Sequence, residues 1–194
     1  MCYQQLNKYV KINLVKNMRI ISGKYKGKKI EGFNIDGTRP TMDRVKESLF
    51  AQIQDKIKDS VCLDLFAGSG SLGIEALSNG AKCCYFVENS NNIYNILKDN
   101  LDGISDSILL KMDYMDALSN FSKKGIKFDL IFLDPPYKLN LINDILKYLN
   151  DNELLNDDGI IVCEFEDEDV YSDCFSLIKS RRYGSKNVEI YKKL

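Results

Sequence analysis

Val61-Cys62-Leu63-Asp64-Leu65-Phe66-Ala67-Gly68-Ser69-Gly70-Ser71-Leu72-Gly73 is the stretch on which the fold turns. Five of its first six residues are apolar, as in a strand buried on both faces of a parallel sheet. Gly68, Gly70 and Gly73 then match G-x-G-x-x-G and lead into a helical pattern. Glycine at such a turn lets backbone approach a ligand closely. Glu88 follows Gly68 by 20 residues, at the end of the next strand, where a carboxylate can hold ribose hydroxyls. These features serve any adenosine-containing cofactor, so a nicotinamide-dependent dehydrogenase is one reading. Two details favour a different ligand. Asp64 places a carboxylate near the mouth of the loop, where it suits an ammonium better than a pyrophosphate, and Phe66 also occupies the turn. S-adenosyl-L-methionine has the matching parts: an ammonium, a ribose and an adenine.

Outward from this stretch the pattern alternates. Strands are predicted at 61–66, 82–88, 107–112, 127–134, 159–165, 174–182 and 187–193, and helices at 70–79, 90–102, 114–121 and 139–150. Alternating βα units imply an α/β fold: a Rossmann-like, mostly parallel seven-stranded sheet with helices on both faces. A short Gly184-Ser185 turn makes the last two strands antiparallel. Upstream, two strand-like runs between Met18 and Phe33 flank Gly23-Lys24-Tyr25-Lys26-Gly27-Lys28-Lys29, a small β hairpin with a basic tip. Thr41 is the expected N-cap of a helix carrying Val45, Leu49, Ile53 and Ile57. The chain thus divides into a 1–17 extension, expected to be dispensable, and one domain over 18–194: hairpin 18–37, helix 38–58 and α/β core 60–194.

Phe128-Asp129-Leu130-Ile131-Phe132-Leu133 is a second buried strand, stopped by Asp134-Pro135-Pro136-Tyr137. Neither proline can donate a ladder hydrogen bond and each fixes φ. The result is a stiff turn at the carboxyl end of a strand, the edge where open α/β sheets bind ligands. Asp134 and the Pro135 carbonyl could each accept one hydrogen of an exocyclic amino group, with Tyr137 stacking on its ring. The chain contains no histidine, which excludes Ser-His nucleophilic catalysis and histidine metal sites together. Six cysteines, without C-x-x-C or metal-ligand spacing, fit a reduced, cytoplasmic setting and no metal. No apolar run approaches the ~18 residues of a membrane span.

The net charge of −1 conceals an asymmetry. Residues 1–60 carry 13 Lys/Arg against 6 Asp/Glu, and residues 61–194 carry 14 against 22. A basic arm on an acidic domain suggests a polyanion met by one face, with nucleic acid the first candidate.

Taken together, these motifs resemble the RsmD family of small-subunit rRNA guanine-N2 methyltransferases, within the class I S-adenosylmethionine-dependent superfamily. The resemblance runs from Met18-Arg19-Ile20-Ile21-Ser22-Gly23, through Gly37-Thr38-Arg39-Pro40-Thr41-Met42-Asp43-Arg44-Val45-Lys46-Glu47, to Arg182-Tyr183-Gly184. The R-P-T-x-D-R-x-K-E box is its specific part. The glycine loop identifies only the superfamily, and D-P-P-Y identifies amino-nitrogen methylation. A DNA adenine-N6 methyltransferase remains the nearest alternative, with the dehydrogenase behind it. The resemblance implies a monomeric enzyme acting on small-subunit rRNA in an assembled or nearly assembled subunit. It also implies roles: Asp64, Phe66, Gly68, Gly70, Glu88, Asp113 and Thr41 toward the cofactor, and Asp134, Pro135 and Tyr137 at the target base. Arg19, Lys24, Lys26, Lys28, Lys29, Arg39 and Arg44 would meet RNA. Lys46 is expected either there or on the surface of its helix.

Overall fold

The structure, a computed structural model, describes residues 13–34, 40–136, 140–166 and 169–194, with the side chains of 13–17, 33, 34 and 40–43 left out. Arg39 and Tyr137, and the Thr41 side chain, for which roles are expected above, lie outside the described residues.

Nine strands and six helices are described. A separate hairpin, β1 (Asn13–Arg19) and β2 (Lys29–Asn34), precedes α1 (Pro40–Gln52) and the short α2 (Gln54–Ile57). The core alternates β3 (Val61–Asp64), α3 (Ser71–Ser78), β4 (Cys83–Val87), α4 (Asn91–Asn100), β5 (Ser107–Leu110), α5 (Tyr114–Lys123), β6 (Phe128–Leu133), α6 (Ile142–Asp151) and β7 (Leu155–Phe165). It closes with β8 (Phe175–Tyr183) and β9 (Lys186–Lys193). The seven-stranded sheet has the order β5-β4-β3-β6-β7-β9-β8. β3 through β7 pair in parallel, and β9 runs antiparallel to both β7 and β8. The sheet is mostly parallel, as the βα alternation predicts.

Two aromatic-aliphatic layers cover its faces. One gathers Phe86, Leu130, Phe132 and Val188 under α1, α3, α4 and the hairpin, and the other gathers Leu63, Ile131, Leu133 and Cys163 under α5 and α6. Phe86, Leu130 and Phe132 are fully buried, each stabilising the fold by about 1.5–3 kcal/mol. Gly73 is where α3 rests on β4: a Cβ there would lie 2.3 Å from the Phe86 ring. Among the described residues, no helix is long and apolar enough to cross a membrane.

The structure corrects several boundaries. The first helix begins at Pro40 rather than after a Thr41 cap, consistent with proline's preference for the first helical position. It breaks at Ile53 instead of running on to 58. β1 starts at Asn13, five residues before Met18, and Asn13–Val15 pair with Asn34–Gly32. Lys46 is not a surface residue. It is 6% exposed and pairs at 3.0 Å with Glu75 of α3, whose side chain is 1% exposed.

Candidate active site at the carboxyl edge

β3 is flanked by β4 on one side and β6 on the other, so the chain leaves it in both directions. That switch point opens a crevice beyond the carboxyl ends of the strands. Four carboxylates follow those ends: Asp64 on β3, Glu88 after β4, Asp113 after β5 and Asp134 after β6.

Gly68 and Gly70 adopt φ of 54° and 79°, left-handed conformations that favour glycine. They turn the chain from β3 into α3. Asp64 lies behind this turn, 3% exposed, and its Oδ2 accepts the Gly73 N–H at 3.0 Å. Burial pushes its carboxyl up to about 7, against that hydrogen bond and helped by the charge of Glu88. Glu88 accepts from Gly68 N–H at 3.2 Å and Ser90 N–H at 2.7 Å. Burial raises its pKa as well, with those amides working the other way. The fingerprint acid therefore braces the glycine turn that it faces.

Asp113 is both things that its position allows. It is the N-cap of α5, accepting from Met115 N–H at 2.9 Å, and it lines a shallow cleft with Leu65, Phe66, Val87, Glu88, Met112 and Tyr114. Phe66 and Tyr114 pack with ring centroids 5.2 Å apart. The cleft's apolar walls can grip a flat base, Glu88 can meet ribose hydroxyls, and Asp113 can accept from an amino group. The residues present fit the adenosine half of S-adenosylmethionine.

Asp134 follows β6 directly, half-buried, with Pro135 buried and Pro136 exposed. Two residues beside it were not singled out in the sequence. Glu164, the residue after the Leu133–Cys163 pair on β7, forms an ion pair with Lys186 at the head of β9. Burial opposes the charge of Lys186, but Glu164 and Asp134 outweigh it and raise its pKa above the usual lysine value. The signal was the Gly184-Ser185 turn, since an antiparallel hairpin closing there must return its tip to this edge.

The hairpin lysines go elsewhere. Lys24 N–H donates to Ser78 O at 2.7 Å, at the end of α3. Lys24 Nζ reaches Ser105 Oγ at 3.3 Å, and Lys28 Nζ reaches Asp102 O at 2.6 Å. Those groups precede β4 and β5, so the basic tip sits at the amino edge, about 16 Å of strand from the carboxylates. Lys26 is exposed there, and Arg19 and Lys29 form the exposed pair at the hairpin's closing end. Arg44 is exposed on α1.

A glycine turn at the switch point, a cleft lined by aromatic rings and two carboxylates, and a D-P-P turn one strand away are the features of an α/β methyltransferase. The solved structure of a putative methyltransferase, YhhF, from Escherichia coli matches with TM-score 0.79 and 33% identity, over 91% of this chain and 97% of that one. The family described as "Conserved hypothetical protein 95" matches residues 18–192. A putative rRNA methyltransferase, YlbH, of Bacillus subtilis is 38% identical over 91% of this chain and 99% of its own length. The ribosomal RNA small subunit methyltransferase D of Haemophilus influenzae is 37% identical over 90% of this chain and 93% of its own. The chain belongs to this family of rRNA methyltransferases, known as RsmD.

Proposed function

We propose that the protein methylates the N2 amino group of a guanine in small-subunit rRNA, using S-adenosylmethionine. The observation that carries this reading is the placement of the Asp134-Pro135 turn, immediately after β6 and one strand from the glycine turn of β3. The cofactor, when bound, supplies an electrophilic methyl group. Asp64 would lie nearest its ammonium, Glu88 its ribose, and Asp113, Met112 and Tyr114 its adenine.

The guanine N2 lone pair is delocalised into the ring and attacks poorly. Asp134 Oδ and the Pro135 carbonyl accept its two hydrogens, favour a pyramidal nitrogen and aim the lone pair at the methyl group. This is alignment with electrostatic stabilisation, and no histidine is needed. The proton leaves after transfer, to Asp134 or water. Lys186, paired with Glu164, brings a cation beside Asp134. Tyr137 stacks on a base removed from its RNA context and offsets part of the unstacking cost. Arg39 and Arg44 follow the flanking backbone, and the enzyme acts as a monomer.

Labelled S-adenosylmethionine and small subunits lacking the modification test this directly. N2-methylguanosine is the expected product; N6-methyladenosine, or no transfer to rRNA, would sink the assignment.

A further inference from the structure

Residues 179–186, Lys-Ser-Arg-Arg-Tyr-Gly-Ser-Lys, hold four cations and no acid within the acidic part of the chain. They form the tip of the β8–β9 hairpin. The register shows where that tip lies. Leu133 pairs with Cys163, Cys163 with Glu189, and Glu189 with Ser180. One residue further along, Glu164 pairs with Val188 and Val188 with Arg181. Arg181 therefore stands level with Asp134, three strand spacings away, roughly 14 Å. Arg182, paired with Asn187, stands one residue beyond.

The same rungs fix the faces. Val188 belongs to the layer under α1, so its partner Arg181 projects on the α1 side and Arg182 on the other. The tip is held rigidly: Tyr183 Oη donates to Ser48 Oγ of α1 at 2.7 Å. Arg44 is one helical turn from Ser48 on the same face of α1. Arg44, Arg181 and Arg182 are all exposed. Among the described residues none of the three has an ion-pair partner. Among the described residues, Arg181 and Arg182 bond the carbonyls of Ser180 and Gly184, at 3.2 and 3.1 Å. The nearby carboxylates are engaged: Glu164 by Lys186, Glu166 by Ser185, and Glu189 by Ser180 and Tyr191.

Building on the rRNA reading above, we propose that the β8–β9 tip, braced on α1, is the surface that grips the RNA backbone beside the target base. Arg181 and Arg182 each clamp a phosphate, and Arg44 continues the track along α1. Guanidinium is suited to this, because its planar fork meets phosphate oxygens in pairs. The position explains the need for a rigid tip. A base presented at Asp134 needs its flanking phosphates fixed within a short stretch of strand, and the hairpin meets them there.

The test measures binding of a small-subunit rRNA transcript across a salt series, for wild type, R181A/R182A and R181K/R182K. Losing two phosphate contacts should weaken binding about tenfold at moderate salt and reduce the log–log salt slope by about 1.4. The lysine pair should keep most of the slope and lose part of the affinity. The KM for rRNA should rise with the alanine pair, and S-adenosylhomocysteine affinity should not change. Wild-type affinity and slope in the alanine pair, while wild type still methylates rRNA, would overturn this inference alone. A wild-type protein that binds no rRNA would overturn both it and the functional reading.

Discussion

The molecule carries two basic hairpins, and they do not share a site. The N-terminal one, β1–β2, is conspicuous in the sequence: six basic residues and no acid between Asn13 and Lys29. Its tip lies at the amino edge, against Ser78, Asp102 and Ser105. The C-terminal one, β8–β9, is basic only over its tip, within the acidic part of the chain, and the sheet returns that tip to the level of Asp134. Charge along a chain says that a polyanion is a plausible partner. Only strand order and direction say which cations stand where the chemistry is.

The largest effect should come from the joint that holds the N-terminal hairpin. Glu75 is fully buried; it accepts from Ile21 N–H, Ser22 N–H and Ser22 Oγ and pairs with Lys46. Lys46 also donates to Arg19 O at 2.9 Å and Ser71 Oγ at 3.2 Å. One ion pair thus ties the hairpin, α1 and the start of α3 together. Lys46→Met leaves a buried carboxylate without its cation, which should cost about 3–5 kcal/mol in denaturant unfolding. The double variant with Glu75→Gln should recover part of that loss. An unchanged midpoint in Lys46→Met would show that the hairpin is held by other contacts.

At the other edge the expected loss is catalytic. Asp134→Ala removes the acceptor proposed for the amino group, and kcat should fall about 10²–10³-fold. S-adenosylhomocysteine affinity, measured calorimetrically, should stay near wild type. Near-normal turnover would remove the carboxylate from the mechanism.

Much of this arrangement was legible in the chain. The βα alternation and the two buried strands ending in glycine and proline turns have local causes, so the parallel sheet and the D-P-P turn could be read directly. Asp113 is expected at the cofactor only through the family resemblance; the structure shows it as the N-cap of α5 and in the lining of the cleft. The joints between distant segments could not be read. Lys46 and Glu75 are 29 positions apart, and nothing in either segment alone requires the pairing, although a single carboxylate in the apolar helix Ser71–Ser78 hinted at a buried partner. Lys186 and Arg181 became site neighbours only through register across β7 and β9.

A smaller effect separates the two edges by pH. The Asp64 carboxyl, held up to about 7 by burial, is mostly protonated at pH 6 in the free protein. A bound ammonium favours the charged form, so binding at pH 6 must release a proton. S-adenosylhomocysteine affinity should therefore rise roughly tenfold from pH 6 to pH 8. Asp64→Asn, which can still accept from Gly73, should flatten that rise. Because the folded pKa lies above the carboxyl's ordinary 3.8, this group's contribution to stability is fully present below about 3.8 and lost as pH rises through 7. The ligand-free protein should melt at lower temperature at pH 8 than at pH 5. A pH-independent affinity in wild type would place the ammonium away from Asp64.

The smallest effect is the one that charge counting would make the largest. Lys24, Lys26 and Lys28 lie about 16 Å of strand from the carboxylates, beyond the ~10 Å screening length at 0.1 M salt. An RNA fixed at Asp134 by its nearest phosphates gains little from them at that ionic strength. The triple alanine variant should change the KM for rRNA by less than about threefold at 0.1 M salt. A larger change is expected near 0.01 M, where the screening length reaches ~30 Å. If the triple variant instead matched or exceeded the loss in R181A/R182A at 0.1 M salt, the substrate would have to wrap from the carboxyl edge to the amino edge. The two hairpins would then be two ends of one RNA track, a geometry that demands a large folded RNA rather than a short strand.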